Sequence, residues 1–415
     1  MKKYVIIGNG VAATGCIEGI RSVDKSSEIT VISEEKYAVY CRPLISYYLE
    51  GKTTLQKMNY RPDDFYEANG CRVLYGRKAV SIDKESKRVM LDDKTELEYD
   101  SLCIATGSSP FVPPFAGLET VTDKFPFMTI DDTLALEKAI KNDSKVLIVG
   151  AGLIGLKCAE GIADRVSEIT VCDLADRVLS SILDNECAAL MQNHLEKHGI
   201  RFMLSDSVEA FDGNTAKMKS GATVDFDILV LAVGVRANTS LIKDIGGEVN
   251  RGIIINNRME TSEESIYAIG DCTEGYDLSC GQKRVLAILP NAYMQGNCAG
   301  VNMADGDAEF DNAIPMNSIG FFGLRAMTAG SYYSKDEGGE LYEEKGDNKI
   351  KRLYMKDGLL TGFIIIGDID RAGIYTSLIR EKTPLSELDV DLLKKEPSLA
   401  IFLPEIRSKK LKGVI

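Results

Sequence analysis

The chain has 415 residues, with 49 Lys plus Arg against 62 Asp plus Glu, a formal net charge of −13. At 45% hydrophobic and 27% charged residues it reads as an ordinary globular protein, long enough for about two to four domains. The acidic balance repels a phosphate backbone and an anionic membrane, so neither nucleic acid nor a membrane is expected as a partner.

Met1-Lys2-Lys3 leads at once into the strand-like run Tyr4–Ile7, which leaves no room for a secretory signal. No run of about 18 apolar residues follows anywhere, so a transmembrane helix is not expected. The 10 cysteines lie singly and form no CxxC pair, which argues against metal knuckles and a dithiol motif and for a reducing cytoplasm.

Taken in order, the predicted elements repeat one design. Tyr4–Ile7 is a β-branched run that ends at Gly8-Asn9-Gly10 and enters a helix-length stretch carrying Ala13. A second β-rich run, Glu28–Ser33, ends at Glu34, with Glu35 as the alternative acid. The design recurs as Lys145–Val149, then Gly150-Ala151-Gly152 with Ile154 and Gly155, then a β-rich run closing on Asp173. Each is a βαβ dinucleotide unit. The first glycine permits the tight strand-to-helix turn, and the second lets backbone approach a pyrophosphate. The third small residue packs helix on strand, and the helix N-terminus attracts phosphate charge. Glu34 and Asp173 fall near the separation of about 20 residues at which an acid meets ribose hydroxyls. At Asp173 a carboxylate repels a 2′-phosphate, which favours NADH over NADPH, although Arg177 lies close by.

Beyond residue 313 the pattern changes. Ile319–Tyr333, Lys349–Met355 and Leu359–Ile366 are β-rich, Lys335–Asp347 reads as a charged loop, and Asp370–Lys382 reads as a helix. These runs predict a third, α+β domain. Residues 385–415 read as a tail that ends in the basic cluster Arg407, Lys409, Lys410 and Lys412.

Three further segments, Cys103–Gly107, Leu231–Asn238 and Ser265–Cys272, complete a pattern that resembles the pyridine-nucleotide oxidoreductase superfamily of flavoproteins. The resemblance implies an α/β fold with two Rossmann-like dinucleotide-binding domains and a C-terminal α+β domain. The FAD domain would be discontinuous, 1–112 with 244–312, and the NAD domain would be 113–243. The α+β interface domain would span 313–384, with the tail after it. FAD contacts are implied at Gly8, Gly10, Ala13, Glu34, Arg42, Pro43, Val80, Thr106, Gly107, Gly270, Asp271 and Asn291. NAD contacts are implied at Gly150, Gly152, Ile154, Gly155, Asp173 and Gly234.

Tyr40–Ser46, Leu289–Gly296, Asn317–Leu324 and Gly362–Asp368 with Arg371–Gly373 are most similar to one branch. It contains NADH:rubredoxin reductases, ferredoxin reductases of oxygenase systems and the flavin part of nitrite reductase. The implied partner is a one-electron carrier, rubredoxin, ferredoxin or an iron-sulfur subunit, and the chain could itself be a subunit of a larger oxidoreductase.

Two departures stand out. Disulfide-reducing members carry a CxxxxC pair, whereas Cys41 here is followed five places on by Ser46. Cys41 is then either a small residue packed near the flavin or a lone reactive thiol of an NADH oxidase or peroxidase. Many members of the branch also place a Lys after the Arg-Pro-Pro-Leu-Ser motif and a Glu two residues past the third glycine of the NAD loop. Tyr47 and Lys157 occupy those positions here. Lys157 is either the replacement cation near flavin N5 or an exposed helix lysine.

The remaining signals are weaker. Pro290-Asn291-Ala292 opens a helix whose positive end would face the flavin. His194 and His198 share a helix face but lack further ligands, so no metal is expected. The basic tail is either a carrier-docking element or a solvated terminus.

Overall fold

The fold is that of a computed structural model, which describes residues 1–412, with side chains as far as residue 408. Lys409, Lys410 and Lys412 of the basic tail therefore lie outside the described side chains. The chain divides into two compact units, Met1–Gly275 with Leu289–Phe310, and Tyr276–Ile288 with Asp311–Ile415.

The first unit contains two parallel five-stranded sheets built alike. One runs Ile266–Ala268, Ser101–Ile104, Lys3–Ile7, Glu28–Ser33, Cys71–Tyr75. The other runs Ile200–Leu204, Glu168–Asp173, Lys145–Val149, Ile228–Leu231, Lys124–Pro126. In each, the strand before the glycine turn is central, with Ile6 opposite Val31 and Cys103, and Ile148 opposite Val171 and Val230. These strands are almost wholly apolar because both of their faces are buried. An antiparallel meander accompanies each sheet, Ala79–Glu98 in one case and Val208–Asp225 in the other. Val208, Phe211, Ala216 and Met218 of the second meander share a core with Leu147, Val149 and Leu229. The chain passes between the two sheets along the strands Ser108–Pro110 and Val235–Ala237, which pair antiparallel.

Four helices position the chemistry of this unit. They are α1 (Val11–Val23), the short α2 (Ile45–Leu49), α3 (Leu153–Ile162) and α4 (Leu289–Met303). α1 and α4 run parallel along a seam of glycines. A β-carbon on Gly15 would stand 2.2 Å from the Tyr293 carbonyl oxygen, and one on Gly19 would stand 2.3 Å from that of Asn297. From the other side, β-carbons on Gly296 and Gly300 would stand 2.0 and 2.1 Å from the carbonyl oxygens of Ala12 and Cys16. No side chain fits there, so both glycine pairs are required for backbone contact. The seam brings the two helix N-termini to the same end of the unit.

The second unit is a five-stranded antiparallel sheet in the order Met316–Phe321, Leu324–Gly330, Leu359–Ile366, Lys349–Lys356, Glu340–Gly346. Helix α5 (Gly373–Arg380) buries Tyr375, Leu378 and Ile379 against Leu353, Phe363 and Ile365. The predicted run Ile319–Tyr333 resolves into a hairpin that turns at Phe322-Gly323, both with positive φ (46° and 86°). The expected loop at Lys335–Asp347 contains the edge strand Glu340–Gly346 instead. This strand is exposed on both faces and carries Glu340, Glu343, Glu344 and Lys345, so no apolar alternation marks it. Residues 385–402 are also not a free tail, because Leu388, Leu393, Ile401 and Phe402 are buried in this core. Residues 276–288, which the sequence groups with 244–312, pack with the second unit through Leu278, whose N–H donates to the Ala313 carbonyl at 2.9 Å.

Candidate functional site

The two glycine turns have the same geometry. Gly8 (φ 114°) passes so close to the neighbouring strand that a β-carbon would stand 2.1 Å from the Ala105 carbonyl oxygen. Gly150 (φ 117°) meets the Ala232 carbonyl at 2.2 Å. Only glycine tolerates both the φ and the approach. The second glycines differ from these. Neither Gly10 nor Gly152 has any heavy atom within 4 Å of the position a β-carbon would take. Each opens a helix without a side-chain cap, leaving bare N–H groups over a clear space. Ala13 is fully buried behind the first turn. Gly155 closes the second turn, since a β-carbon there would stand 2.0 Å from the Gly150 carbonyl. Ile154 beside it is half-buried.

The acids behave differently in the two halves. Asp173 uses one carboxylate oxygen to accept from the Ala151 N–H at 2.7 Å and the other to accept from Ala175 N–H at 2.8 Å, so it fixes the second turn directly. Arg177, nearby, donates to Asp176 at 2.7 Å and to the carbonyls of Leu183 and Ser180. That engagement ties the Arg177 side chain into its own loop. In the first half, Glu34 is exposed and pairs with Lys78 at 3.0 Å. Glu35 turns back instead, to an ion pair with Arg42 and to the Tyr40 hydroxyl, which donates to it at 2.7 Å. Arg42 also donates to the Met128 carbonyl at 3.1 Å, and Pro43 follows it, exposed, in a short 3-10 turn.

The Gly270–Asp271 corner closes the first turn. Gly270 N–H donates to the buried Gln295 side chain of α4 at 2.7 Å. The Asp271 carboxyl is pushed above its ordinary range by burial, opposed by the nearby Arg42 and Ser108. Ser108 Oγ stands 3.5 Å from it. A buried carboxylate of this kind calls for hydroxyl donors, as a ribityl chain offers. Asn291 is fully buried in the first turn of α4. Thr106 and Gly107 (φ 62°) lie between Ala105 and Ser108, where the first sheet hands over to the crossover strand. Gly234 (φ 107°) lies where that crossover returns. Val80 is 48% exposed on the first meander. Two clear phosphate cradles, each at a helix N-terminus, and a part-buried carboxyl of raised pKa at the Asp271 corner suit one dinucleotide per half.

The two positions at which the sequence departs from its branch are brought together. Lys157 of α3 pairs with Glu160, and its ammonium stands 4.7 Å from the centroid of the Tyr47 ring of α2. Lys52 pairs with Glu50 and lies 5.9 Å over the same ring. Lys157 is therefore not an exposed helix lysine: its side chain is 18% accessible. Cys41 is half-buried, and burial raises its thiol pKa, which opposes the thiolate that peroxide or disulfide chemistry requires. Ser46 is buried. His194 and His198 lie with ring centroids 4.6 Å apart, tilted by 55°, at the end of their helix, and no cluster of three metal-ligating side chains occurs among the described residues. No helix among the described residues is long and apolar enough to cross a membrane.

Sequence reasoning missed the glycine seam, Gln295 and Asn238. The signals were present as GxxxG at 15–19 and 296–300, and as polar residues within the segments Leu289–Gly296 and Leu231–Asn238, to which no role of their own was given.

Comparison with known proteins agrees with this geometry. The family model for pyridine nucleotide-disulphide oxidoreductases matches residues 2–296. The chain is 30% identical over 397 residues to the NADH-dependent phenylglyoxylate dehydrogenase subunit epsilon of Aromatoleum evansii, covering 93% of each. It is 33% identical to an NADH oxidase of Methanocaldococcus jannaschii, covering 88% of this chain and 87% of the other. A nitrite reductase of Bacillus subtilis is 30% identical over 93% of this chain, which spans 48% of that protein. In fold it is similar to the crystal structure of the covalent putidaredoxin reductase–putidaredoxin complex, with a TM-score of 0.86 at 21% identity over 95% of this chain and 96% of the other. The chain belongs to the pyridine nucleotide-disulphide oxidoreductase family and is an FAD-dependent NAD(P)H oxidoreductase.

Proposed function

We propose that this protein oxidises NADH and delivers the electrons singly, through FAD, to a protein carrier such as rubredoxin or ferredoxin, or to an iron-sulfur partner subunit. The observation that carries this reading is the state of the sulfur: Ser46, buried, stands where a second thiol would be, and Cys41 is a half-buried thiol whose pKa burial raises. Without a dithiol, electrons have no two-electron exit through the protein. FAD, when bound, accepts two electrons from NADH and can release them one at a time. The chain holds FAD with the turn at Gly8, Gly10 and Ala13, with Thr106, Gly107, Gly270 and Asp271, and with Arg42 anchored by Glu35. Pro43, Val80 and Asn291 are assigned to the same cofactor, with Glu34 or Glu35 as the ribose acid. Gly150, Gly152, Ile154, Gly155, Asp173 and Gly234 hold NADH. Lys157, partly neutralised by Glu160, supplies the cation near flavin N5. All 10 cysteines are free, in keeping with the cytoplasm.

Relatives support this range of acceptors. An NADH-rubredoxin oxidoreductase of Clostridium acetobutylicum is 26% identical over 88% of this chain. The match to a named subunit across 93% of both chains favours a second form of the same reading, a flavin-bearing subunit of a larger oxidoreductase. An NADH oxidase or peroxidase acting through Cys41 is the competing activity. Anaerobic NADH titration of the yellow protein, followed by addition of carriers with and without oxygen, separates these readings. Rapid carrier reduction without oxygen supports the proposal, and turnover only with oxygen or peroxide removes it.

A further inference from the structure

We infer that Asn238 is a positioning residue for the FAD site, holding the Thr106–Gly107 turn from the far end of the returning crossover strand. The inference rests on the assignment of FAD to Thr106, Gly107 and Asp271 proposed above.

Asn238 lies 132 positions from Thr106, at the end of the strand Val235–Ala237, and the two residues are tied reciprocally. The Asn238 side-chain amide donates to the Thr106 carbonyl at 2.9 Å, and the Thr106 hydroxyl donates to the Asn238 carbonyl at 2.8 Å. The Asn238 backbone N–H donates to the Gly107 carbonyl at 2.9 Å. Ser109 Oγ donates to the remaining side-chain oxygen at 2.8 Å. Asn238 therefore donates to the two consecutive peptide carbonyls of Thr106 and Gly107 and accepts from the hydroxyls of Thr106 and Ser109. An amide supplies both roles; a carboxylate or a methyl does not.

The turn it holds has cofactor-facing surroundings on both sides. Ala105 is the residue whose carbonyl abuts Gly8 of the phosphate loop. Ser108 is the residue whose hydroxyl approaches Asp271. A shift of the turn thus moves the phosphate loop and the Asp271 corner together, while Gly150 and Asp173 are braced by other contacts, to Ala232 and Ala151. This predicts a split: loss of Asn238 weakens FAD and leaves the apparent affinity for NADH nearly unchanged. The Arg236–Phe111 contact, 3.9 Å from guanidinium carbon to ring centroid, serves as the control, since it supplies none of the four hydrogen bonds between Asn238 and the turn.

The test is FAD release from purified holoenzyme, read by the fluorescence of freed flavin, with the visible flavin spectrum and KM for NADH measured alongside. Asn238→Ala and Asn238→Asp each remove the donor to Thr106 and are expected to raise the FAD dissociation constant about ten-fold, with KM for NADH changed less than about two-fold. Ser109→Ala removes one bond from the same amide and is expected to show a smaller shift in the same direction, which keeps the inference testable if the Asn238 variants fail to fold. Arg236→Ala is expected to retain FAD as the wild type does. Asn238 and Ser109 variants that all retain FAD normally overturn the inference, as does a parallel rise in FAD release and KM together with a lowered unfolding temperature. Asp271→Ala distinguishes the two levels. If it too leaves FAD affinity unchanged, the site assignment fails; if it weakens FAD while the Asn238 variants do not, only the positioning role fails.

Discussion

Replacing Gly10 with alanine separates a glycine kept for the cofactor from one kept for the fold. Gly10 has φ −93° and ψ −171°, a conformation open to any residue, and a β-carbon there meets nothing within 4 Å. The apoprotein should tolerate the change within about 1 kcal/mol, since the lost chain flexibility and the poorer helix cap nearly offset each other. With FAD present the methyl occupies the space through which backbone approaches the pyrophosphate. Overpacking of this kind costs about 1–3 kcal/mol, which corresponds to a dissociation constant raised about five- to a hundred-fold. Gly296→Ala is the counter-case. Its β-carbon would stand 2.0 Å from the Ala12 carbonyl, where real contacts stay above 3.0 Å, so α4 must move at least about 1 Å from α1. There the apoprotein itself should lose about 1–3 kcal/mol or more. Urea unfolding of apoprotein and fluorimetric FAD titration read the two quantities separately. The reasoning is refuted if Gly10→Ala binds FAD as tightly as the wild type, or if it unfolds as early as Gly296→Ala.

Four further outcomes follow from the site. Lys157→Ala should lower the flavin midpoint potential by tens of millivolts and slow NADH reduction, because a cation is removed while Glu160 remains; an unchanged potential and rate place Lys157 outside the chemistry. Cys41→Ala should leave carrier reduction intact, and in the wild type Cys41 should alkylate slowly at neutral pH and faster as the solution is made alkaline, since burial raises its thiol pKa; rapid labelling at pH 7 contradicts this. Asp173→Ser combined with Leu174→Arg, the latter at a side chain 67% exposed, should raise the NADPH-to-NADH ratio of kcat/KM at least about ten-fold; a ratio unmoved under steady-state assay points to another determinant. Asp271 has its carboxyl pKa raised in the folded apoprotein, so the folded state holds its proton to higher pH than the unfolded state. Stability of the apoprotein should therefore fall as pH rises from the ordinary carboxylate range through the raised value, and Asp271→Asn should remove that decline while weakening FAD; identical pH profiles by urea unfolding argue against a buried Asp271.

The paired nucleotide units were legible because their signals are local. Gly8 and Gly150 need positive φ, and the apolar strands around them need burial on both faces; both demands leave a mark within a few residues. What escaped depends on partners distant in sequence. Gly15 and Gly296 are ordinary helix glycines until α1 and α4 are placed side by side. Asn238 gains its role only from Thr106. At the ribose position, Glu34 and Glu35 are equivalent in sequence, and the pull of Arg42 and Tyr40 on Glu35 distinguishes them in space. Glu340–Gly346 resembled a loop because an edge strand that faces solvent has no apolar rhythm to display. Residues 385–402 resembled a tail because their few large apolar residues are spaced by charges, yet Leu393 and Ile401 are wholly buried.

The parallel glycine seam also bears on biosynthesis. The first phosphate turn leaves the ribosome long before the helix that lies along α1, which is not complete until Met303 has emerged. A nascent chain carrying the first βαβ unit thus has an uncovered face on α1, lined by Gly15 and Gly19, for most of its synthesis. Contacts of such long sequence separation form slowly and late. FAD, if it needs both helix ends, cannot template the first βαβ unit by itself and must arrive after α4 has emerged. A truncation ending before Leu289 would accordingly carry the complete dinucleotide fingerprint and still emerge colourless.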